Sequence, residues 1–535
     1  MIDTKALREK VLDLAIRGKL VPQDPNDEPA TVLLERIREQ KKQMVKEGKL
    51  KAKDIKNDTI IFKGDDNLHY EQFTDGTVKC IEDELPFDLP EGWAWCRLRN
   101  LFLVGSAKRV LQSEWKSKGI PFYRAREIVK LANDGYVNND LFISEEHYRN
   151  LKETYGVPAA GDLMVTGVGT IGKVYVVKER DTFYYKDASV LCFENKYSGI
   201  VSEYAKLMID SPLLQSQIHT KTYGNTVDTI TITTANEYLC ALPPVAEQQR
   251  IVDSVNNTIS LIASLESNYQ DISAMTIILK SKVLDLAIQG KLVPQDPNDE
   301  PASVLLERIR AEKEELIKAG KIKRDKKESV IFKGDDNSYY EKIGNNIKNI
   351  DDKIPFEIPE NWHWERLGNI CTISRGGSPR PITDYLTTKS TGINWIKIGD
   401  AEQGGKYIYS TREKIIPEGL PKTRYVKSGD FLLTNSMSFG RPYILKTDGC
   451  IHDGWLVIGD IDNVFNQDFL YYALSSSFMY NSFREVAAGS TVKNLKSDTV
   501  RSVLFPVPPL KEQERISKYL ENLYFVVSTI EQCLS

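Results

Sequence analysis

The chain has 535 residues, 41% hydrophobic and 27% charged, with a formal net charge of −4. That length is a prior for three or four domains, and the composition supports real cores. The acidic balance excludes a uniformly basic nucleic-acid binder, so any contact with DNA has to rest on local positive charge or on partners.

No apolar run reaches the ~18–20 residues that cross a bilayer, and the N-terminus lacks the apolar stretch of a signal peptide. The seven cysteines (Cys80, Cys96, Cys192, Cys240, Cys371, Cys450, Cys533) form no CxxC pair. This speaks against a zinc site or disulfide framework and for a reducing, cytoplasmic setting.

The chain is one unit written twice. Val11–Arg38 recurs as Val283–Arg310 at an offset of 272, identical at 26 of 28 positions and differing at Arg17/Gln289 and Thr31/Ser303. The frame continues with lower identity. Ile61–Asn67 recurs as Ile331–Asn337, Pro86–Trp95 as Pro355–Trp364, Gly161–Leu163 as Gly429–Phe431, and Leu242–Gln248 as Val507–Gln513. Between these brackets, segments 85–245 and 354–510 share a frame but little sequence. Connectors that stay the same do one job twice, whereas segments that diverge between shared brackets are expected to recognise different things.

In chain order, the 28-residue block is followed by a lysine-rich stretch, Lys41–Lys56, with seven Lys against Glu47 and Asp54. Its counterpart, Lys318–Lys327, has six basic residues against Asp325. Both are expected to be solvated, with contact to phosphates or a partner as the functional alternative. The Asp65-Asp66 and Asp335-Asp336 pairs, paired carboxylates that could in principle bind metal, follow Lys-Gly and precede Asn and are expected to mark turns.

The segments 85–245 and 354–510 each read as a compact α/β domain. Strands are expected over Lys173–Val177, Ser189–Phe193, Tyr443–Leu445 and Leu456–Ile458, and helices over Ser202–Leu214 and Gln467–Ser475. The loop Gly167–Lys173 satisfies GxGxxG, but Val174 follows where a phosphate loop needs Ser or Thr. The sequel also reads as a strand rather than a helix, which excludes the nucleotide-binding reading.

Leu242-Pro243-Pro244 ends a strand and opens a helix with Glu247 in its first turn. Val255, Thr258, Ile262, Leu265, Tyr269, Ile272, Thr276, Leu279, Val283 and Leu286 then step by 3 and 4, a heptad seam running to Gly290. Such a helix is about 60 Å long. A second helix from Ala302 to Gly320 is expected to return beside it as an antiparallel hairpin. Pro508–Ile516 opens the same long helix again, and the block that would complete it stands at the N-terminus. Residues 3–18 are therefore expected to pack beside or continue the 511–533 helix, closing a pseudo-two-fold, circularly permuted arrangement.

No DPPY- or NPPF-type tetrapeptide, PD…(D/E)xK constellation or HExxH is present, and His69, His147, His219, His363 and His452 show no ligand spacing. Neither catalytic nor metal-ligating residues are expected.

The doubled frame PxxLPxGWxWxxL, the GD(L/F) strand with GxxG(K/R), and PPxxEQ(Q/E)RI before a long helix resemble the specificity subunit of type I restriction-modification systems. Ile373–Pro379 is similar to that family's SGGTP segment, and Ile120–Ile128 to its GIPF(Y/L)RxxDI strand. The first copy departs from SGGTP, reading Val104-Gly105-Ser106-Ala107-Lys108-Arg109.

The resemblance implies an α/β (α+β) chain with two target-recognition domains, 85–245 and 354–510, separated by two antiparallel coiled-coil helical regions. Residues 1–84 form the N-terminal helical region, 246–353 the central one, and 511–535 a C-terminal helix packing with the N-terminal helix. It also implies a non-catalytic subunit that reads a bipartite, asymmetric site on double-stranded DNA. That subunit docks two modification (adenine-N6 methyltransferase) subunits and, through them, restriction (translocase/endonuclease) subunits. S-adenosylmethionine, ATP and Mg would belong to those partners, and this chain would hold no cofactor. A coiled-coil scaffold and a fused methyltransferase-specificity enzyme remain as alternatives.

Base readout and phosphate contact call for Arg, Lys, Asn, Gln, Ser and Thr on protruding loops. In the first domain these are Lys108, Arg109, Tyr123, Arg124, Arg126, Thr166, Lys173, Tyr223, Asn225 and Thr226. In the second they are Arg375, Ser378, Arg380, Lys397, Asn435, Ser436, Arg441, Ser490, Thr491 and Lys493. Positions 166/434, 173/441, 225/490 and 226/491 correspond across the repeat.

Overall fold

Proline pairs break the chain where strands hand over to helices, and these joins frame both halves. In a computed structural model, which describes residues 3–220, 229–325, 328–435, 440–488 and 494–534, strand Leu239–Leu242 runs antiparallel to Ala94–Arg97, with Leu242 opposite Ala94. Helix Val245–Ile288 follows at once. In the second copy Leu504–Val507 pairs with His363–Arg366, and helix Leu510–Leu534 follows. The Trp-containing frame and the Pro-Pro frame, far apart in sequence, are thus strand partners.

The chain divides into two units, Met1–Asn268 and Tyr269–Ser535, with the boundary inside the long helix. Each unit holds one copy of the repeat. In the first, the variable segment forms a four-stranded sheet in the order Leu103–Ser106, Val190–Glu194, Leu163–Thr166, Val174–Val176. A smaller sheet orders Tyr184–Tyr185, Ile120–Tyr123, Phe142–Ile143. Leu163–Thr166 is buried along its whole length because the sheet has both faces covered.

In the second unit the corresponding sheets have five strands each. One orders Thr372–Arg375, Trp455–Gly459, Phe431–Thr434, Pro442–Leu445, Tyr407–Ile408. The other orders Leu386–Thr387, Glu413–Ile415, Ile393–Ile396, Gly449–Ile451, Arg424–Val426. The expected strands lie within two residues of those found. The expected helix over 202–214 is two helices, Ser202–Asp210 and Pro212–Thr220, parted at Ser211 before a proline.

The helical connectors differ from expectation in two respects. First, 1–84 and 246–353 are not purely helical. Each contains a three-stranded antiparallel meander, Ile60–Lys63, His69–Gln72, Val78–Cys80 and Ser329–Lys333, Tyr339–Ile343, Asn346–Asn349. The expected Asp turns are the hairpin turns of these meanders: Asp66 accepts from the Leu68 N–H at 3.1 Å and from the Tyr70 hydroxyl at 2.6 Å.

Second, the antiparallel partner of the long helix is different. In the first unit, Thr4–Ile16 lies against the start of the long helix: Arg8 pairs with Glu266 at 2.8 Å, and Gln23, beyond the helix end, reaches Glu247 at 3.1 Å. In the second unit, Leu510–Leu534 takes the same role beside the end of the long helix. Lys280 pairs there with Glu531 at 2.7 Å, and Gln295 with Glu512 at 2.6 Å.

The helix Ala302–Lys318, expected to return along the seam, is seated on its own domain. Its Ala302 N–H donates to the Asn361 carbonyl at 2.9 Å, Arg310 pairs with Glu365 at 2.8 Å and Lys313 donates to the Asn369 carbonyl at 2.8 Å. Ala302, Leu305 and Leu306 are buried while Val304 and Leu316 stay exposed.

Candidate nucleic-acid interface

The strand Ile120–Tyr123 ends at Arg124, which precedes helix Ala125–Asp134. The Arg124 N–H donates to the Glu127 carboxylate at 2.9 Å, and its guanidinium reaches Glu127 at 3.1 Å and Asp140 at 2.8 Å. Arg126, 57% exposed, also pairs with Glu127 and grips both Asp140 oxygens at 2.7 and 2.8 Å. Burial pushes the Glu127 carboxyl up, but the hydrogen bonds from Arg124 and Arg126 outweigh it and hold it below its usual value.

The second domain repeats the device with other residues. Strand Ile393–Ile396 occupies the same topological place as Ile120–Tyr123, with one parallel and one antiparallel neighbour. It ends at Lys397, whose N–H donates to Asp400 at 2.8 Å and whose ammonium meets Glu413 at 2.5 Å. A basic group at the strand end, a carboxylate three residues on and a second acid, on the antiparallel neighbour strand (Glu413) or two residues before it (Asp140), are thus common to both domains.

The loop that satisfies GxGxxG leads into strand Val174–Val176, as expected, and not into a helix. Thr166 closes it: its hydroxyl accepts from the Lys173 N–H at 2.9 Å and donates to the Thr170 carbonyl at 2.5 Å. In the second domain the Thr434 hydroxyl accepts from the Arg441 N–H at 3.0 Å. Lys173 and Arg441 are exposed at equivalent places. Thr166 is fully buried, and so is Asn435, whose amide donates to the Asp453 carbonyl at 2.8 Å. These two side chains, expected as DNA contacts, are buried and shape the loops from beneath.

Tyr123 is half-buried with its ring 4.8 Å from Phe183, a packing role. Lys108 and Arg109 are exposed, the Lys108 ammonium lying 5.4 Å over the Tyr155 ring. Tyr223, Asn225, Thr226, Ser436, Ser490, Thr491 and Lys493 lie outside the described residues.

In the second domain Arg375, Ser378 and Arg380 converge on Asp453. The Ser378 hydroxyl donates to its carboxylate at 2.8 Å, Arg375 Nε donates to its carbonyl at 2.9 Å, and the Arg375 and Arg380 guanidinium groups stand 3.9 and 3.6 Å from the carboxylate. Sequence reasoning missed Asp453 and Asp140 because it searched for donors to DNA, not for the acids that hold those donors. The Asp453-Gly454 turn dipeptide was the available signal.

The lysine-rich stretches are not uniformly solvated. Lys41 is buried, donating to Asp58 at 2.9 Å and to the Arg99 carbonyl at 2.6 Å. Among the described residues no group of three or more His, Cys, Asp or Glu side chains could hold a metal ion.

The chain matches the family described as type I restriction modification DNA specificity domain twice, over residues 90–273 and 359–534. It is similar to the type I restriction enzyme EcoAI specificity subunit of Escherichia coli, 27% identical over 97% of this chain and 88% of the relative. It is also similar to the EcoEI specificity subunit of Escherichia coli, 26% identical over 99% and 90%. Among solved structures, the HsdS subunit from Thermoanaerobacter tengcongensis shares the fold with a TM-score of 0.54 at 17% identity, covering 84% of this chain and 93% of that one. With both variable domains matched within one frame, the chain belongs to the type I restriction modification DNA specificity domain family.

Proposed function

We propose that this chain is the subunit that selects the DNA site of a type I restriction-modification complex. Each recognition domain reads one half of a bipartite, asymmetric site. The observation that supports this most directly is the shared frame with exchanged chemistry: Arg124 in one domain stands where Lys397 stands in the other, and Lys173 where Arg441 stands. Two readers built alike but lined differently suit two different half-sites.

The helical connectors would set the spacer and dock two adenine-N6 methyltransferase subunits, which would recruit the restriction subunits. The 44-residue helix is about 66 Å long, ample for half-sites one turn or ~34 Å apart. Its middle leaves Leu261, Leu265, Met275, Ile277 and Ile278 exposed, a surface suited to a protein partner. S-adenosylmethionine, ATP and Mg would serve those partners. No helix among the described residues is long and apolar enough to cross a membrane, and the cytoplasm, where the DNA is, suits this role.

Exchanging residues 354–510 for the corresponding segment of another such subunit tests the reading. One block of the methylated sequence should change and the other stay. An unchanged sequence would overturn it.

A further inference from the structure

Asp453 sits on the turn between strands Gly449–Ile451 and Trp455–Gly459. Besides the Ser378 and Arg375 bonds above, its N–H lies 3.3 Å from the Ser378 hydroxyl and its carboxylate 3.4 Å from the His452 ring. The Asn435 amide and Arg375 Nε both anchor on its carbonyl, and Arg424 Nε donates to the Arg375 carbonyl at 3.2 Å. The backbone at Arg375 and at Asp453 is thus braced from neighbouring segments. The Arg375 guanidinium is tied to the Asp453 carbonyl, whereas the Arg380 guanidinium, 3.6 Å from the carboxylate, is held only loosely and its side chain is 82% exposed.

A guanidinium forks onto a carboxylate in the same two-point geometry that it uses on a guanine O6/N7 edge or a phosphate. A carboxylate beside such arginines can order them when DNA is absent. It also repels phosphate, so contact with arbitrary sequence gains little. In the first domain Asp140, from an unrelated stretch of sequence, also stands beside two arginines and holds Arg124 and Arg126 more tightly, at 2.7–2.8 Å.

We propose that Asp453 is a positioning residue that holds Arg375 and Arg380 for readout of a guanine in the second half-site and suppresses their use as general phosphate contacts. This rests on the reading of residues 354–510 as a DNA reader. Arg380 is the specificity-determining side chain. Its guanidinium leaves Asp453 for the guanine edge, while Arg375, tied to the Asp453 carbonyl, keeps its place.

The test is selection of bound duplexes from a pool of randomised sequence by the full chain, together with binding of one random-sequence duplex across a salt series. The wild-type chain should enrich two sequence blocks. Asp453→Asn should keep the first block, relax discrimination at one guanine of the second by about tenfold, and bind the random duplex more tightly with a salt slope steeper by about one. Arg380→Gln, at a side chain too exposed to unfold the domain, should lose the same guanine and leave the first block intact.

Retention of that guanine by Arg380→Gln would overturn the proposal. So would an Asp453→Asn chain that weakens the second block and the random duplex together at an unchanged salt slope, the result of a structural brace alone. A wild-type chain that enriches no pair of blocks would overturn the underlying reading of the domains as DNA readers, a separable outcome.

Discussion

The indole N–H of Trp93 donates to the buried carboxylate of Glu247 at 3.0 Å, and Trp362 donates to Glu512 at the same distance in the second copy. This bond ties the strand that opens each recognition domain to the helix that leaves it. Gln23 and Gln295 reach the same two carboxylates from the shared 28-residue block. All three frame elements of the repeat therefore meet at one acid. Glu247→Ala leaves the Trp93 N–H without its acceptor and should cost about 1–3 kcal/mol. Glu247→Gln keeps an acceptor oxygen and should cost less. Denaturant unfolding at neutral pH, followed by tryptophan fluorescence, separates the two.

The close fit at Gly18 gives a second expectation. Gly18 has φ +64°, and a Cβ there would lie 2.4 Å from Pro90 Cγ. Gly290 repeats this against Pro359 at 2.4 Å with φ +66°. Gly18→Ala meets both a left-handed backbone, worth about 1–2 kcal/mol, and an overpacked contact worth about 1–3 kcal/mol. Gly48, at φ +73° with open space around it, meets only the first. Thermal unfolding of the two alanine variants should therefore rank Gly18→Ala well below Gly48→Ala.

The buried pair of Lys41 and Asp58 gives a third. Burial pulls the Lys41 ammonium down and pushes the Asp58 carboxyl up, each only partly offset by the other. Lys41→Ala strands a buried carboxylate and should cost about 3–5 kcal/mol, whereas Lys41→Met combined with Asp58→Leu should recover most of it. A double-mutant cycle of unfolding free energies checks this.

Acid should act in two opposing windows. Burial raises the carboxyls of Glu247 and Glu512 above the usual 4.5 in the folded chain. The fold thus binds these protons more readily than the unfolded chain does, and stability rises as pH falls from the raised values to about 4.5. Glu71 is opposite. Burial pushes it up, but hydrogen bonds from Arg97 and Thr59 outweigh that and hold it below 4.5. Glu341, bonded by Arg366 against a smaller burial effect, is also lowered. The stabilisation from these two is complete above 4.5 and is lost as pH falls through their lowered folded values. Unfolding free energy should therefore peak in mild acid and fall steeply below about pH 4, and Glu71→Gln should flatten that acid limb.

The repeat, both strand-to-helix joins and the extent of the long helix were legible because each has a local signature: near-identity, Pro-Pro before Glu, and a 3–4 apolar step. The meanders were not, because strands of three to five residues such as Val78–Cys80 carry too little alternation to stand out beside lysine-rich helices. Only their Asp turns could be read. The seam of 245–288 was read correctly as apolar, yet Leu265 and Ile272 are exposed and the helix 302–318 is seated elsewhere. Periodicity identifies an apolar stripe but not what covers it. At the recognition loops, residue type pointed to Arg124, Lys173, Arg375 and Arg380, which reach the surface, and equally to Thr166 and Asn435, which do not. Hydroxyls and amides close loops as readily as they read bases, and only burial tells the two uses apart.

The central claim is that the two divergent domains choose the two halves of one methylated site. A genome-wide map of N6-methyladenine in cells carrying this chain with its partner subunits tests it most directly. The expected result is one bipartite motif of two short, different blocks separated by a fixed run of unspecified bases. A single continuous motif, or a map that does not change when this chain is deleted, would contradict it.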